Sequence, residues 1–145
     1  MPLALPPPQV SLPDDLLPLR AELIRHGFTV RLEPPPQSAV YGVFNSKLRT
    51  IWIAPVTIPL GIFRTTFLHE TVHAAQSCSA ARPTLLGTKA SVLPVVNQEI
   101  NYILSSRYDN FNRALEREAF LLQSQPDAVA ILMRALRSRC NLKSP

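Results

Sequence analysis

The stretch that decides the reading is Thr65-Thr66-Phe67-Leu68-His69-Glu70-Thr71-Val72-His73-Ala74-Ala75-Gln76. Its apolar positions predict a buried helix over about 62–79. Residues four apart on a helix share a face, with Cβ atoms about 6 Å apart. The imidazoles of His69 and His73 therefore reach one ion at ~2.0–2.1 Å from each nitrogen, the distance typical of zinc. Glu70 is one step round the helix from His69, badly placed as a ligand but within reach of a water beside the ion. A carboxylate there can act as general base. Zinc is thus the expected cofactor, His69 and His73 the expected ligands, and Glu70 the expected catalytic group. Uncharged neighbours (Phe67, Leu68, Thr71, Val72, Ala74) fit a buried helix, where histidines with no partner would cost stability.

Outward from this run, the N-terminal side changes period. Phe28, Val30 and Leu32 alternate with Thr29, Arg31 and Glu33, which predicts a half-buried strand. Val40–Phe44 and Leu48–Ala54 predict two more, joined as a hairpin through Asn45-Ser46-Lys47. Ile51 and Ile53 are expected on one face, Thr50 and Trp52 on the other. Ahead of the strands, Asp14 and Asp15 open a short helix whose leucines recur at helical spacing, and Gly27 is placed to stop it. His26, at its end, reads as a surface or loop histidine. Residues 1–13 read as a disordered proline-rich tail, with Pro6–Pro8 in one cluster. On the C-terminal side, helices are expected over about 95–107, from Asn110 to about Gln123, and from Pro126, in the first turn, to about Arg139. The expected fold is α+β: one domain over 14–141, with an antiparallel sheet of about three strands packed under helices.

Composition bounds the function. In 145 residues, 46% are apolar and 17% charged, which supports a folded core rather than a disordered chain. The net charge of +5 collects partly at Arg134, Arg137, Arg139 and Lys143. Basic residues at a helix end complement its dipole, and no aromatic residues interleave with them, so nucleic acid is not an expected partner. The longest uncharged stretch, Thr50–Phe63, is broken by Pro55 and Pro59 and is too short to span a bilayer. No secretory signal is visible near Met1, so a cytoplasmic protein is expected, with Cys78 and Cys140 as reduced thiols by default and a disulfide between them as the alternative.

A catalytic zinc site needs a third protein ligand. Residue 79 is Ser79 and Gln76 stands where a third-histidine pattern wants glycine, so that pattern is absent. Downstream lies Leu115-Glu116-Arg117-Glu118-Ala119-Phe120. HETVHAAQ together with EREA resembles the gluzincin class of zinc metallopeptidases, over roughly residues 28–124. That resemblance implies a zincin-like fold, hydrolysis of peptide or protein substrates, Glu116 as the third ligand and Ala119 as a small residue that lets its helix approach the histidine helix. Glu118 is the rival ligand, since residues two apart on a helix point nearly opposite ways, and Glu99 is a more distant one. Many members carry Asp after the Ala to support a histidine ligand; Phe120 occupies that place here, so another acceptor must orient the imidazole. Gln76, one turn beyond His73, is a candidate contact to ligand or substrate. Tyr102, Tyr108 and Arg107 are candidate helpers at the transition state. Either hairpin strand could be an edge that pairs with an extended substrate, with Trp52 and Tyr41 as packing or pocket residues. The other reading is a zinc-binding regulatory or scaffolding protein without turnover.

Overall fold

The computed structural model describes residues 12–78, 81–107 and 110–140. The expected tail covers 1–13; residues 1–11 lie outside the described residues, while Leu12 is already buried against the core. The chain is α+β. After a 3-10 turn at Asp14–Leu16 it runs α1 (Leu17–Arg25), β1 (Thr29–Arg31), β2 (Gly42–Asn45), β3 (Thr50–Ile53), a second 3-10 turn (Pro55–Thr57), α2 (Phe63–Gln76), α3 (Pro94–Arg107), α4 (Asn110–Gln123) and α5 (Ala128–Arg139).

Gly27 ends α1 as its position predicts. It has φ +86°, and the N–H groups of Phe28 and Gly27 donate to the carbonyls of Leu23 and Ile24. That pairing needs a left-handed residue, which glycine adopts without a Cβ penalty. Phe28 and Leu23 then bury together in the core. His26 is not a surface residue: it is buried, its Nε2 lies 3.3 Å from Oε1 of buried Glu22, and Arg137 of α5 donates to the same oxygen at 3.1 Å. The packing of α5 across α1, which local sequence does not reveal, is what covers it.

The hairpin forms as expected, with Asn45 Oδ1 accepting from Leu48 N–H inside the turn. The sheet is mixed rather than antiparallel. Its order is β1-β3-β2, with β1 parallel to β3 and β2 antiparallel to it. The long connection from β1 returns the chain on the far side of β3, and the hairpin then sends β3 along the direction of β1. Central β3 is buried along its whole length, so of the two hairpin strands only β2 keeps a free edge. Ile51 and Ile53 enter the main core with Phe67, Leu68, Val72, Leu122, Leu132 and Leu136.

Helix α2 is the hub, packed against α4, α5, β2 and β3. It stops at Gln76, short of the expected 79: Ser77 is the C-cap, its hydroxyl bonds the Ala74 carbonyl, and the Cys78 N–H donates only three residues back, to Ala75. Helix α5 starts at Ala128 rather than at Pro126, which sits in the preceding turn. Cys78 and Cys140 form a disulfide with Cα atoms 4.9 Å apart, tying the end of α2 to the end of α5; the default of reduced thiols does not hold. Arg139 adds a second tie, donating to the carbonyls of Ala75, Thr84 and Leu85. Among the described residues, no helix is long and apolar enough to cross a membrane.

Candidate metal centre

The histidine pair of α2 meets Glu116 of α4. Nε2 of His69 lies 3.0 Å from Oε2 of Glu116, and Nε2 of His73 lies 2.8 Å from Oε1. The two imidazoles stand edge to face with centroids 5.0 Å apart. Glu116 is brought in by the i, i+3, i+7 face of α4. Ala119 is fully buried against the core, and Gln123 reaches His69, whose Nδ1 lies 2.7 Å from the Gln123 Oε1. Phe120 does not orient an imidazole by hydrogen bonding; its ring packs on His69 at 4.6 Å between centroids.

Hydrogen bonding sets the tautomers. The amide nitrogen of Gln76 donates to the Leu115 carbonyl at 3.1 Å and to Oε1 of Glu118 at 3.0 Å. Its oxygen therefore faces Nδ1 of His73, 2.8 Å away. An amide oxygen only accepts, so His73 carries its proton on Nδ1. Gln123 meets the corresponding nitrogen of His69. Nε2 of each imidazole then faces one of the two oxygens of the same carboxylate, a position that a proton or a metal ion can take. Nε2 of His73 is buried and makes no hydrogen bond of acceptable geometry despite its closeness to Glu116. His69, His73 and Glu116 converge on one point and could hold a metal ion, and two imidazoles with one carboxylate are a donor set that zinc accepts.

The charges respond accordingly. Burial alone would lower the pKa of His73, but contact with Glu116 and the charges of Glu116 and Glu70 push it up to about 8. Burial alone would raise Glu116, but its close contacts with His69 and His73 bring it to about 2. For Glu70, burial dominates and holds the carboxyl above the usual range, against the opposing pull of His69, His73 and the Phe44 N–H. An environment that raises a carboxyl in this way suits proton transfer near neutral pH.

These side chains line a cleft of about 420 Å³, walled by Gly42, Val43 and Phe44 of β2 on one side and by Leu115 and Glu116 of α4 on the other. The backbone of β2 comes close to α2 because residue 42 has no side chain. A Cβ there would stand 2.7 Å from Cγ2 of Thr66 and 3.3 Å from Cγ of Glu70.

His69, Glu70, His73, Gln76 and Glu116 are thus brought together. Glu118 is not at the cluster: it is buried behind Gln76 and accepts from the N–H groups of Leu86 at 2.7 Å and Gly87 at 3.0 Å. Glu99 is exposed on α3. Tyr102 is 73% exposed and does not line the cleft. Tyr108 and the side chain of Arg107 lie outside the described residues. Trp52 is buried and Tyr41 exposed, and neither lines the cleft. The residue that sequence reasoning missed is Gln123. Its signal was available: with Phe120 unable to accept a bond, the next polar side chain on that face of α4 lies one turn on.

No curated protein and no solved structure matches the chain. A family model described as "Domain of unknown function (DUF8637)" matches residues 59–140. That segment is more than half of the chain and holds both histidines, Glu70, Gln76, Glu116, Glu118, Gln123 and both cysteines, while the sheet precedes it. The chain belongs to this family.

Proposed function

We propose that the chain is a zinc-dependent peptidase that hydrolyses a peptide bond of a peptide or protein substrate lying in this cleft. The carrying observation is the convergence of His69, His73 and Glu116 beside a shielded Glu70. His69, His73 and Glu116 would hold the ion, which when bound supplies Lewis acidity and draws the pKa of a water molecule toward ~7. The chain's own groups do the rest. Glu70 takes the proton from the attacking water, and its raised pKa lets it keep that proton long enough to pass it to the leaving amine. The Phe44 N–H holds the Glu70 carboxylate toward the cleft. Gln76 and Gln123 hold the Nδ1 side of the two imidazoles, which leaves Nε2 of each turned toward Glu116. The free edge of β2 beside the cleft offers backbone groups to an extended peptide.

The test is metal analysis of the purified chain combined with a fluorogenic peptide library. Glu70→Gln should abolish hydrolysis and leave zinc content unchanged. Failure of the parent chain to take up zinc, or hydrolysis that survives Glu70→Gln, would overturn the proposal.

One observation favours a second reading, a metal-binding regulatory or scaffolding protein of the same fold without turnover. Among the described residues, the cleft wall has no tyrosine or arginine to meet a developing oxyanion. Zinc uptake with no cleavage across the library would select it. The disulfide favours an oxidising compartment over the cytoplasmic setting expected from the sequence.

A further inference from the structure

Glu118 is a buried carboxylate that the proposed reaction does not use. Both of its oxygens are occupied by N–H donors: Gln76 and Leu86 on Oε1, Gly87 on Oε2. Gln76 faces the other way with its oxygen on Nδ1 of His73. Carboxylate, amide and imidazole therefore form one directed chain that ends at Nε2 of His73.

We infer that Glu118 is a positioning residue for the metal centre, acting through Gln76 to set the tautomer, orientation and donor strength of His73. The inference rests on the zinc reading above. Metal-binding histidines commonly donate their second ring N–H to a carboxylate, which fixes the ring and raises its basicity. Here an amide is inserted between the two. A negative charge on one end of an amide polarises it, so its oxygen accepts more strongly and His73 becomes the better donor to a cation. The chain also fixes which end of Gln76 faces the histidine. The Leu115 carbonyl shares that NH2 group; without Glu118 it alone resists a turn of the amide that would present NH2 to Nδ1 and force the imidazole proton onto Nε2, where it blocks the ion. At His69 the amide that meets Nδ1 is Gln123 of α4.

The experiment is a double-mutant cycle on the full chain: Glu118→Gln, Gln76→Leu and the two combined. Zinc affinity is read by competition with a chromophoric chelator. The visible absorption of the Co2+-loaded protein reports the ligand field, and a thermal melt of the metal-free protein reports the fold. Glu118→Gln should weaken zinc by about 10–100-fold and shift the Co2+ band. In the Gln76→Leu background the same substitution should add little, because the route to His73 is already cut. If Glu118→Gln lowers only the metal-free melting temperature, its role is to hold the loop at Leu86 and Gly87 and the inference falls. An undiminished effect of Glu118→Gln in the Gln76→Leu background also overturns it. A parent chain that binds no zinc removes the zinc reading and this inference together, whereas tight binding that Glu118→Gln leaves unchanged removes this inference alone.

Discussion

Replacing Gly42 with alanine should separate catalysis from metal binding. The added methyl would stand 2.7 Å from Cγ2 of Thr66, 3.2 Å from Cδ1 of Ile53 and 3.3 Å from Cγ of Glu70. Attractive carbon contacts begin near 3.5 Å, so about 0.8 Å must be found at Thr66. The Ile53 contact is with the end of a flexible side chain and can yield. Thr66 cannot turn away easily, because it is β-branched and its hydroxyl bonds the Ile62 carbonyl at 2.7 Å. Strand β2 must therefore lift off α2, or α2 must shift. Overpacking of this kind costs about 1–3 kcal/mol, less than the roughly 5–15 kcal/mol that holds a small domain folded. The variant should fold, melt lower, and retain zinc, since the three atoms nearest the methyl belong to Thr66, Ile53 and Glu70 and not to His69, His73 or Glu116. Hydrolysis should fall by up to about 10-fold, because displacement of a reacting group by a few tenths of an ångström already tells on the rate.

The control is Gly42→Ala combined with Thr66→Ser. Serine keeps the hydroxyl and removes the methyl that meets the new Cβ, so most of the lost stability should return. Urea denaturation measures this, with zinc affinity and cleavage read in parallel. If the second substitution restores nothing, or if Gly42→Ala weakens zinc as much as it slows hydrolysis, the account of β2 as the wall against Thr66 and Glu70 is wrong.

Glu116→Gln should cost more than about 100-fold in zinc affinity, exceeding the 10–100-fold loss typical of a supporting residue; chelator competition checks it, and near-parent affinity would remove Glu116 from the ligand set. The pH dependence of the metal-free protein follows from the same cluster. The pKa of His73 is raised from 6.5 to about 8, so its contribution is complete below pH 6.5 and is lost as pH rises through 8. The pKa of Glu116 is lowered from 4.5 to about 2, so its contribution is present above pH 4.5 and fades as pH falls toward 2. The His73–Glu116 contact is common to both shifts, and the shift of His73 corresponds to about 2 kcal/mol, at 1.36 kcal/mol for each pKa unit. Melting temperature in chelator should therefore be highest near pH 4.5–6.5 and fall toward pH 9, whereas zinc, which displaces the proton, should remove the alkaline loss; a metal-free melting temperature that climbs from pH 6.5 to 9 contradicts this. The Cys78–Cys140 bond closes a separation of 62 residues, and cross-links of that span contribute about 2–4 kcal/mol. Denaturation with and without a dithiol reductant should show that loss, and no difference would mean the bond is not closed in the folded protein.

What the sequence made legible is what a helix repeats. His69 and His73 share a face because of their spacing, and Glu116 and Glu118 part because two residues turn a helix by more than half a circle. Pairing direction is not local: the alternation at β1 is the same whether β3 runs with it or against it. The burial of His26 depends on Arg137 and the rest of α5, more than a hundred residues away. Glu118 had a pattern on α4 but no visible partners, because Leu86 and Gly87 offer backbone N–H groups, which carry no residue signature.

The supporting groups also explain why the cluster tolerates so many acids. Glu70 and Glu116 already place two carboxylates beside one ion position. Further carboxylates placed directly on His69 and His73 would crowd negative charge into a small shielded volume. Amides at Gln76 and Gln123 accept the same imidazole protons while adding no charge. Glu118 sits one side chain farther out, where three N–H donors meet its charge. Gln123→Glu should then leave His69 oriented yet raise the pKa of Glu70 further, moving the acid limb of hydrolysis to higher pH. An acid limb that stays in place, measured as kcat/KM against pH, would show that Glu70 does not feel the charge at position 123.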